Sequence, residues 1–473
     1  MDSSESFLAD AEQCLGPRGL TRDHELMEPW LTDWRGRYSG RACAMASPGT
    51  TEEVAELVKI CARHGVPIVP QGGNSGMVGG ATPDESGTAL LLSLRRMNAI
   101  RKIDANARTA TCEAGVILQT FHDAVAEERM RFPLTLGGKG SATIGGLIST
   151  NAGGTQVLRH GSMRAQVLGL EAVLADGSIF SALTPLKKDN RGFDLKQLMI
   201  GSEGTLGIVT AATLRIVPEI TDRIVIWAGL GSIASARELL LHCETSAGDA
   251  LEGFEVMPRQ CLEAVLDHLP DARAPLAGDH EWHALIEVVG DRAEDDDLRE
   301  RAETMMAEAF EDELLDDAVL AANETQAETF WLMRDSIAPA ERERGPAMQH
   351  DISVSVERMP AFVDAAVDRI EADWPGTTAV AFGHLGDGNV HFHVIAPSGS
   401  TPGVWEDSDG RKISAQIYEM VCEWGGSISA EHGIGQNKRA ELERLGDPVA
   451  LALMRRVKQA LDPEGILNPG KLV

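Results

Sequence analysis

The densest chemistry in the chain lies in Ala379–Ala396, AVAFGHLGDGNVHFHVIA, where His384, His391 and His393 crowd together. Asp387-Gly388 flanked by alternating apolar residues is a strong short signal for a β-hairpin. A two-residue turn there places His384 directly opposite His391, with Cβ atoms about 5 Å apart, and His393 on the same face by the period of two. Imidazoles so placed can share one metal ion, and they can equally form a core pair satisfied by hydrogen bonds. A second segment, Ser429-Ala430-Glu431-His432-Gly433-Ile434-Gly435, offers a carboxylate and a base among glycines. By itself it reads as a capped turn before a helix over 436–444. Joined to the hairpin, it gives two histidines, one carboxylate and an open position. That is the composition of a catalytic rather than a structural site, with zinc the default metal. Adjacent side chains on a strand point apart, so Glu431 and His432 can serve one site only from irregular backbone.

Two glycine-rich segments carry a different chemistry: Pro70–Gly80 (PQGGNSGMVGG) and Leu136–Gly146 (LGGKGSATIGG). Residues without Cβ let backbone N–H groups converge on a phosphate and reach φ > 0. A dinucleotide has a pyrophosphate to hold, which suits two such loops in one domain. Neither segment is a G-x-G-x-x-G following a strand, and neither contains G-x-x-x-x-G-K-[ST]; a Rossmann fold and a nucleoside triphosphatase are both unsupported. Turns at strand ends are the plain alternative. The further segments Asn151–Gly154 and Gly201–Gly207 weigh against it.

The elements that must position these residues follow from periodicity. A helix is expected over 51–64, capped by Thr50 or Thr51, then a strand at 67–70 entering the first glycine segment. Strands are expected at 88–93, at 112–118, at 167–175 before a turn at 175–178, and at 207–217. A helix is expected over 119–129 and a loop over 133–154. Strand–helix units fill 225–395, and helices follow at 410–424 and 446–461. The acidic run 291–317 reads as a solvated helix face.

With 473 residues, two or three domains are expected. The formal charge of −29, from 72 acidic against 43 basic residues, excludes nucleic acid and anionic membranes as natural partners. An anionic substrate would need local cations or a metal to override that field. No apolar run is long enough for a transmembrane helix, and the acidic start MDSSESFLADAEQ lacks the features of a signal peptide. Seven scattered cysteines without C-x-x-C argue against a disulfide framework and suit a reducing compartment, with the cytoplasm expected.

Taken together, PQGGNSGMVGG, GGLISTNAGGTQVLRHGSMR, VLADGS, KKDNRGFDLKQLMIGSEGTLGIVT and the terminal DPEGILNPGK closely resemble the vanillyl-alcohol-oxidase superfamily. The branch is that of glycolate, D-lactate and D-2-hydroxyglutarate dehydrogenases, and the resemblance covers nearly the whole chain. It implies an α+β fold: a two-subdomain FAD-binding domain over 40–218 after an N-terminal segment 1–39, an α+β substrate (cap) domain over 219–424, and a C-terminal segment 425–473 with helices that returns to the flavin. By the same resemblance Pro70, Gln71, Gly72, Gly73, Asn74, Ser75 and Gly76 hold the pyrophosphate, and Gly79 belongs to the cofactor set. Gly138, Gly140, Ser141, Thr143, Gly145, Gly146 and Asn151 line the flavin, and Glu203, Gly204, Ile208 and Asn468 complete the cofactor set. Some superfamily members tether FAD through a histidine at the place that Asn74 resembles; asparagine cannot form that link, so the FAD is expected to be non-covalent.

The resemblance also assigns the chemistry. His384, His391 and Glu431 correspond to the ligands of a divalent metal, His432 to the catalytic base, and Arg334, in Phe330-Trp-Leu-Met-Arg334-Asp335, to the partner of the substrate carboxylate. A planar bidentate donor suits that task; an ordinary helix-surface arginine is the alternative. Three positions depart from the 2-hydroxyglutarate pattern: Ala338 where threonine is usual, Gln349 where lysine is usual, and His393 where asparagine is usual. Loss of the lysine removes a cation for a second carboxylate, which favours a monocarboxylate such as D-lactate or an uncommon 2-hydroxy acid. Gln349 and His393 can recognise a neutral polar group instead. The implied enzyme is a D-2-hydroxy-acid dehydrogenase giving a 2-oxo acid, with hydride passing to flavin N5. Its electrons leave for an electron-transfer flavoprotein, a quinone or a cytochrome, and a homodimer is one open assembly. Three rivals stand beside it: a metal-free flavin oxidase of an alcohol or phenol, a metallohydrolase using the His/His/Glu set, and a non-catalytic binding protein.

Overall fold

The computed structural model describes residues 3–186, 188–290 and 297–473. The chain divides into two units, one of Met1–Gly154, Gly161–Glu219 and Glu431–Val473, the other of Thr155–His160 and Ile220–Ala430.

The first unit contains two main sheets. In the four-stranded one, Leu90–Ser93 runs parallel to both Ala44–Ala46 and Ile68–Gln71. The unbroken apolar run of this strand is buried along its whole length, as a strand covered on both faces must be. The crossover between the outer two is the helix Thr51–His64. Thr50 Oγ1 accepts from the Glu53 amide at 3.1 Å, and Gly65 ends the helix at φ +66°. Such a cap contributes about 1 kcal/mol. Its face Val54, Leu57, Val58 and Cys61 enters the main core of this unit. The second sheet is antiparallel, in the order Ile100–Asp104, Thr109–Glu113, Ile208–Arg215, Val167–Val173, Ile179–Ala182.

Two expected elements differ. The strand expected at 112–118 ends at Glu113, because the chain turns before the helix Leu118–Ala126 begins. The expected loop 133–154 contains the helix Ile144–Thr150. Its paired glycines hide the helical pattern, and the reason for one of them is packing. A Cβ on Gly145 would lie 2.6 Å from that of Ala114.

The second unit is built on one seven-stranded antiparallel sheet in the order Asp317–Leu320, Asp222–Leu230, Trp282–Gly290, Leu251–Pro258, Thr378–His384, Asn389–Ile395, Ala347–Ser353. Leu251–Pro258 is buried at every position, so both faces are covered. On one face Trp227, Met257, Leu285, Val380 and Phe382 pack against the helices Arg259–His268, Glu324–Asp335 and Ile337–Arg344. The helices Ile233–Ala247, Leu298–Glu311 and Met359–Asp373 cover the other. Of the acidic run, 291–296 lies outside the described residues and Leu298–Glu311 is helical. Among the described residues no helix is long and apolar enough to cross a membrane, and all seven cysteines are free thiols.

Candidate active site

In the first unit the two glycine segments meet. A Cβ on Gly73 would stand 1.7 Å from the Ser141 carbonyl oxygen, an approach of backbones that only glycine permits, and one on Gly72 would stand 2.1 Å from the side-chain Oγ1 of Thr143. Around Gly76, Gly137 and Gly140, by contrast, no atom of another described residue beyond the chain neighbours lies within 4 Å of a Cβ position. The backbone of these stretches is accessible, as a cradle for a pyrophosphate requires. Gln71 is buried, and its Nε2 donates to the carbonyls of Trp30 and Ala81, both at 2.9 Å. Asn74 adopts φ +53° and donates from Nδ2 to the Thr32 carbonyl at 2.8 Å. Gly204 closes on Pro70, whose Cγ is 2.5 Å from the Cβ position.

Other residues of the expected cofactor set use their side chains to fasten backbone. Asn151, at φ +52°, ends the helix Ile144–Thr150, and its Oδ1 accepts from Ser162 Oγ and the Arg164 amide. Glu203, also at φ +52°, accepts from the amides of Ile434 and Gly435, each at 2.7 Å. Asn468 Nδ2 donates to the carbonyls of Gly80 and Glu203. These groups shape the loops from within the protein. Glu203 in particular pins the segment just after Glu431 and His432, which lie on bends rather than in a strand. The backbone at Glu431 and His432 is therefore irregular, which the expectation that both serve one site requires.

In the second unit the hairpin register corrects the sequence expectation. His384 pairs with Asn389, Phe382 with His391 and Val380 with His393, so the connection is the four residues 385–388 rather than the pair Asp387-Gly388. The amides of Asp387 and Gly388 both turn back to the His384 carbonyl, at 3.3 and 3.1 Å. Gly388, at φ +78°, leaves no room for a side chain, its Cβ position being 2.0 Å from the Val354 carbonyl oxygen. A shift of two residues keeps every side chain on its face, whereas a shift of one would reverse them all. His384 and His391 are diagonal neighbours instead of direct partners, with ring centroids 5.5 Å apart.

The same face gathers more polar groups by register. Glu255 stands opposite His384, Asp351 opposite His391 and Gln349 opposite His393. Glu255 is 1% exposed and holds two partners. His384 Nδ1 bonds its Oε1, while Arg334 donates from Nε at 2.9 Å and Nη2 at 2.7 Å to its Oε2. Burial alone would raise the Glu255 carboxyl; Arg334 and His384 outweigh it and hold the group well below the usual carboxylate range. Desolvation, then the charges of His384 and Arg334, push the His391 imidazole well below its ordinary value. A neutral imidazole is the form that ligates a metal. Arg334 is no surface arginine, its side chain being only 13% exposed.

His393 is committed to protein as well, with Nδ1 bonded to Glu341 Oε2 from the helix Ile337–Arg344 that also carries Ala338. Gln349 Nε2 and Glu341 Oε1 are buried without a hydrogen-bond partner among the described residues. Asp351 Oδ1 accepts from Asn389 Nδ2 at 3.0 Å. Glu255, Glu341 and Asp351 were missed from sequence. A signal existed for Glu255, because an acidic residue inside the apolar strand LEGFEVMP must be paired if it is buried.

The α+β fold, the glycine loops meeting around accessible backbone, and the sheet face of histidines, carboxylates and one arginine belong to an oxidoreductase of the flavoprotein class, as the family matches show. Residues 42–182 match the family described as FAD binding domain, and residues 221–472 match FAD linked oxidases, C-terminal domain. The chain belongs to the FAD-linked oxidases and is an FAD-dependent dehydrogenase. It is 36% identical over 466 residues to the "D-2-hydroxyglutarate dehydrogenase, mitochondrial" of Arabidopsis thaliana, covering 98% of this chain and 80% of that protein. To the protein of the same name from Bos taurus it is 37% identical over 476 residues, covering 99% and 84%. The fold is that of p-cresol methylhydroxylase, with TM-score 0.78 and 17% identity over 99% of this chain and 96% of that one.

The mitochondrial relatives overturn the expectation of a cytoplasmic protein. A reducing environment, which the scattered cysteines suit, is not unique to the cytoplasm.

Proposed function

We propose that the protein oxidises a D-2-hydroxy acid to the 2-oxo acid. The observation that carries this reading is the buried face on which Arg334 and His384 share Glu255, with His391 beside them. The names of the relatives support the same substrate class. FAD, held without a covalent bond by the glycine segments of residues 70–80 and 136–146, supplies a two-electron acceptor. A divalent metal, zinc by default, would be held by His384, His391 and Glu431 and would polarise the substrate hydroxyl.

The remaining steps belong to the chain's own side chains. Arg334 orients the substrate carboxylate, and with it the face from which the C2 hydride leaves. His432 takes the hydroxyl proton as general base, which needs a reach of about 3 Å. Loss of that proton and of the C2 hydride leaves the 2-oxo acid. Glu203 fixes the backbone from which His432 works. The electrons pass on to an electron-transfer flavoprotein, a quinone or a cytochrome.

One observation narrows the substrate. Gln349, opposite His393, stands where the resemblance expects a lysine and supplies no cation there. That favours a substrate such as D-lactate, or one with a neutral polar tail, over one with a second carboxylate. An anaerobic screen of D- and L-2-hydroxy acids for bleaching of the flavin tests the reading. D-acids should bleach it and L-acids should not; no bleaching by any D-2-hydroxy acid would sink it.

A further inference from the structure

Glu255 has no counterpart in the expected catalytic set, yet it touches two of that set's members. It lies on the strand Leu251–Pro258, is 1% exposed, and gives one oxygen to each of two elements. Oε1 meets Nδ1 of His384 on the strand Thr378–His384. Oε2 receives Nε and Nη2 of Arg334 from the helix Glu324–Asp335. The strand pairing sets the first contact, since Glu255 and His384 are register partners.

We infer that Glu255 is a positioning residue that sets the ligating nitrogen of His384 and the aim of Arg334 together. This rests on the reading of His384 as a metal ligand and Arg334 as the carboxylate partner. Glu255 occupies Nδ1 of His384, so Nε2 is the ring nitrogen left to face a metal. Carboxylates that hold ligating histidines in this way raise ligand basicity, and their loss costs about 10–100-fold in metal affinity or activity. On the guanidinium side, two N–H groups on one oxygen hold the side chain in a single rotamer against the buried face. One carboxylate thus couples the two halves of substrate recognition, and a change on the arginine side should be felt by the metal.

Glu255→Gln keeps size and shape but cannot accept from both partners with ionic strength. With zinc as the probe, its dissociation constant by chelator competition should rise about 10–100-fold, and KM for the 2-hydroxy acid should rise with it while FAD content stays stoichiometric. Glu255→Asp, which keeps the charge, should recover part of both losses. Arg334→Lys should weaken zinc binding measurably, although Arg334 is not a ligand. Unchanged zinc affinity and KM in a folded, flavin-replete Glu255→Gln overturns the inference. Should that variant fail to fold, nitrogen-15 spectra of the wild-type histidines decide instead: His384 protonated at Nδ1 in metal-free protein is required, and protonation at Nε2 alone overturns it. Failure of the underlying reading has a different signature, namely wild-type zinc binding that is absent or unaltered by His384→Ala.

Discussion

The two units reach function by opposite means. Around Gly72, Gly73, Ser141 and Thr143 the first unit removes side chains so that backbones can touch, and its few polar side chains fasten loops. The sheet face of the second unit does the reverse. It buries Glu255, Glu341, His384 and His393 and pairs each carboxylate with a histidine. A cofactor cradle made of backbone tolerates little volume at its glycines and is indifferent to ionic detail. A substrate face made of paired charges is sensitive to every carboxylate, because a buried ion that loses its partner is strongly destabilising. The comparison teaches that cofactor binding and substrate chemistry should be separable by mutation.

The largest effect expected is all-or-none. Gly73→Ala drives a Cβ into the Ser141 carbonyl, so the purified protein should carry no FAD by absorbance. His384→Ala should keep its full flavin complement and lose at least about 100-fold in turnover, the scale of a lost ligand or its orienting partner. Flavin loss in His384→Ala, or full flavin in Gly73→Ala, would break the division of labour. Next comes His432→Ala, for which kcat should fall by about 10²–10⁴-fold with FAD retained; a fall under ten-fold would remove it as the base. Smaller again is Gln349→Lys. By supplying a cation opposite His393, it should improve kcat/KM for D-2-hydroxyglutarate over D-lactate by about ten-fold, the worth of one charge-assisted bond.

Apart from these effects on function stands one on stability in the second unit. Burial, then His280 and Arg259, depress His283 to about 4. It stays neutral in the fold while the unfolded chain takes up a proton. Its contribution is therefore intact above about pH 6.5, falls as the pH drops toward about 4, and levels off below. The loss amounts to about 3 kcal/mol at most. Denaturant melts of wild type and His283→Asn at pH 7 and 4.5 should show a steeper loss in the wild type.

Much of this was legible in the sequence, for physical reasons that differ by element. The helix Thr51–His64 was readable residue by residue, because its cap, apolar spacing and terminal glycine all agree. The helix Ile144–Thr150 was hidden, since Gly145 and Gly146 serve packing and backbone approach at the expense of helix propensity. The His384 face was found by period-two reasoning even though the turn was misjudged, because the error was two residues rather than one. Glu255, Glu341 and Asp351 stayed out of sight for another reason. Their meaning lies in pairings across 129, 52 and 38 positions of chain, which no local pattern encodes.

The central claim is that bound FAD accepts electrons from a D-2-hydroxy acid through a step that the histidine face makes possible. Anaerobic stopped-flow mixing tests it directly, with D-2-hydroxyglutarate and D-lactate, with and without prior chelation, in wild type and His384→Ala. Rapid bleaching of the flavin in untreated wild type, abolished by chelation and restored by zinc, with His384→Ala slow throughout, is the predicted result. Equal bleaching rates in all four conditions, or none with any D-2-hydroxy acid, would contradict it.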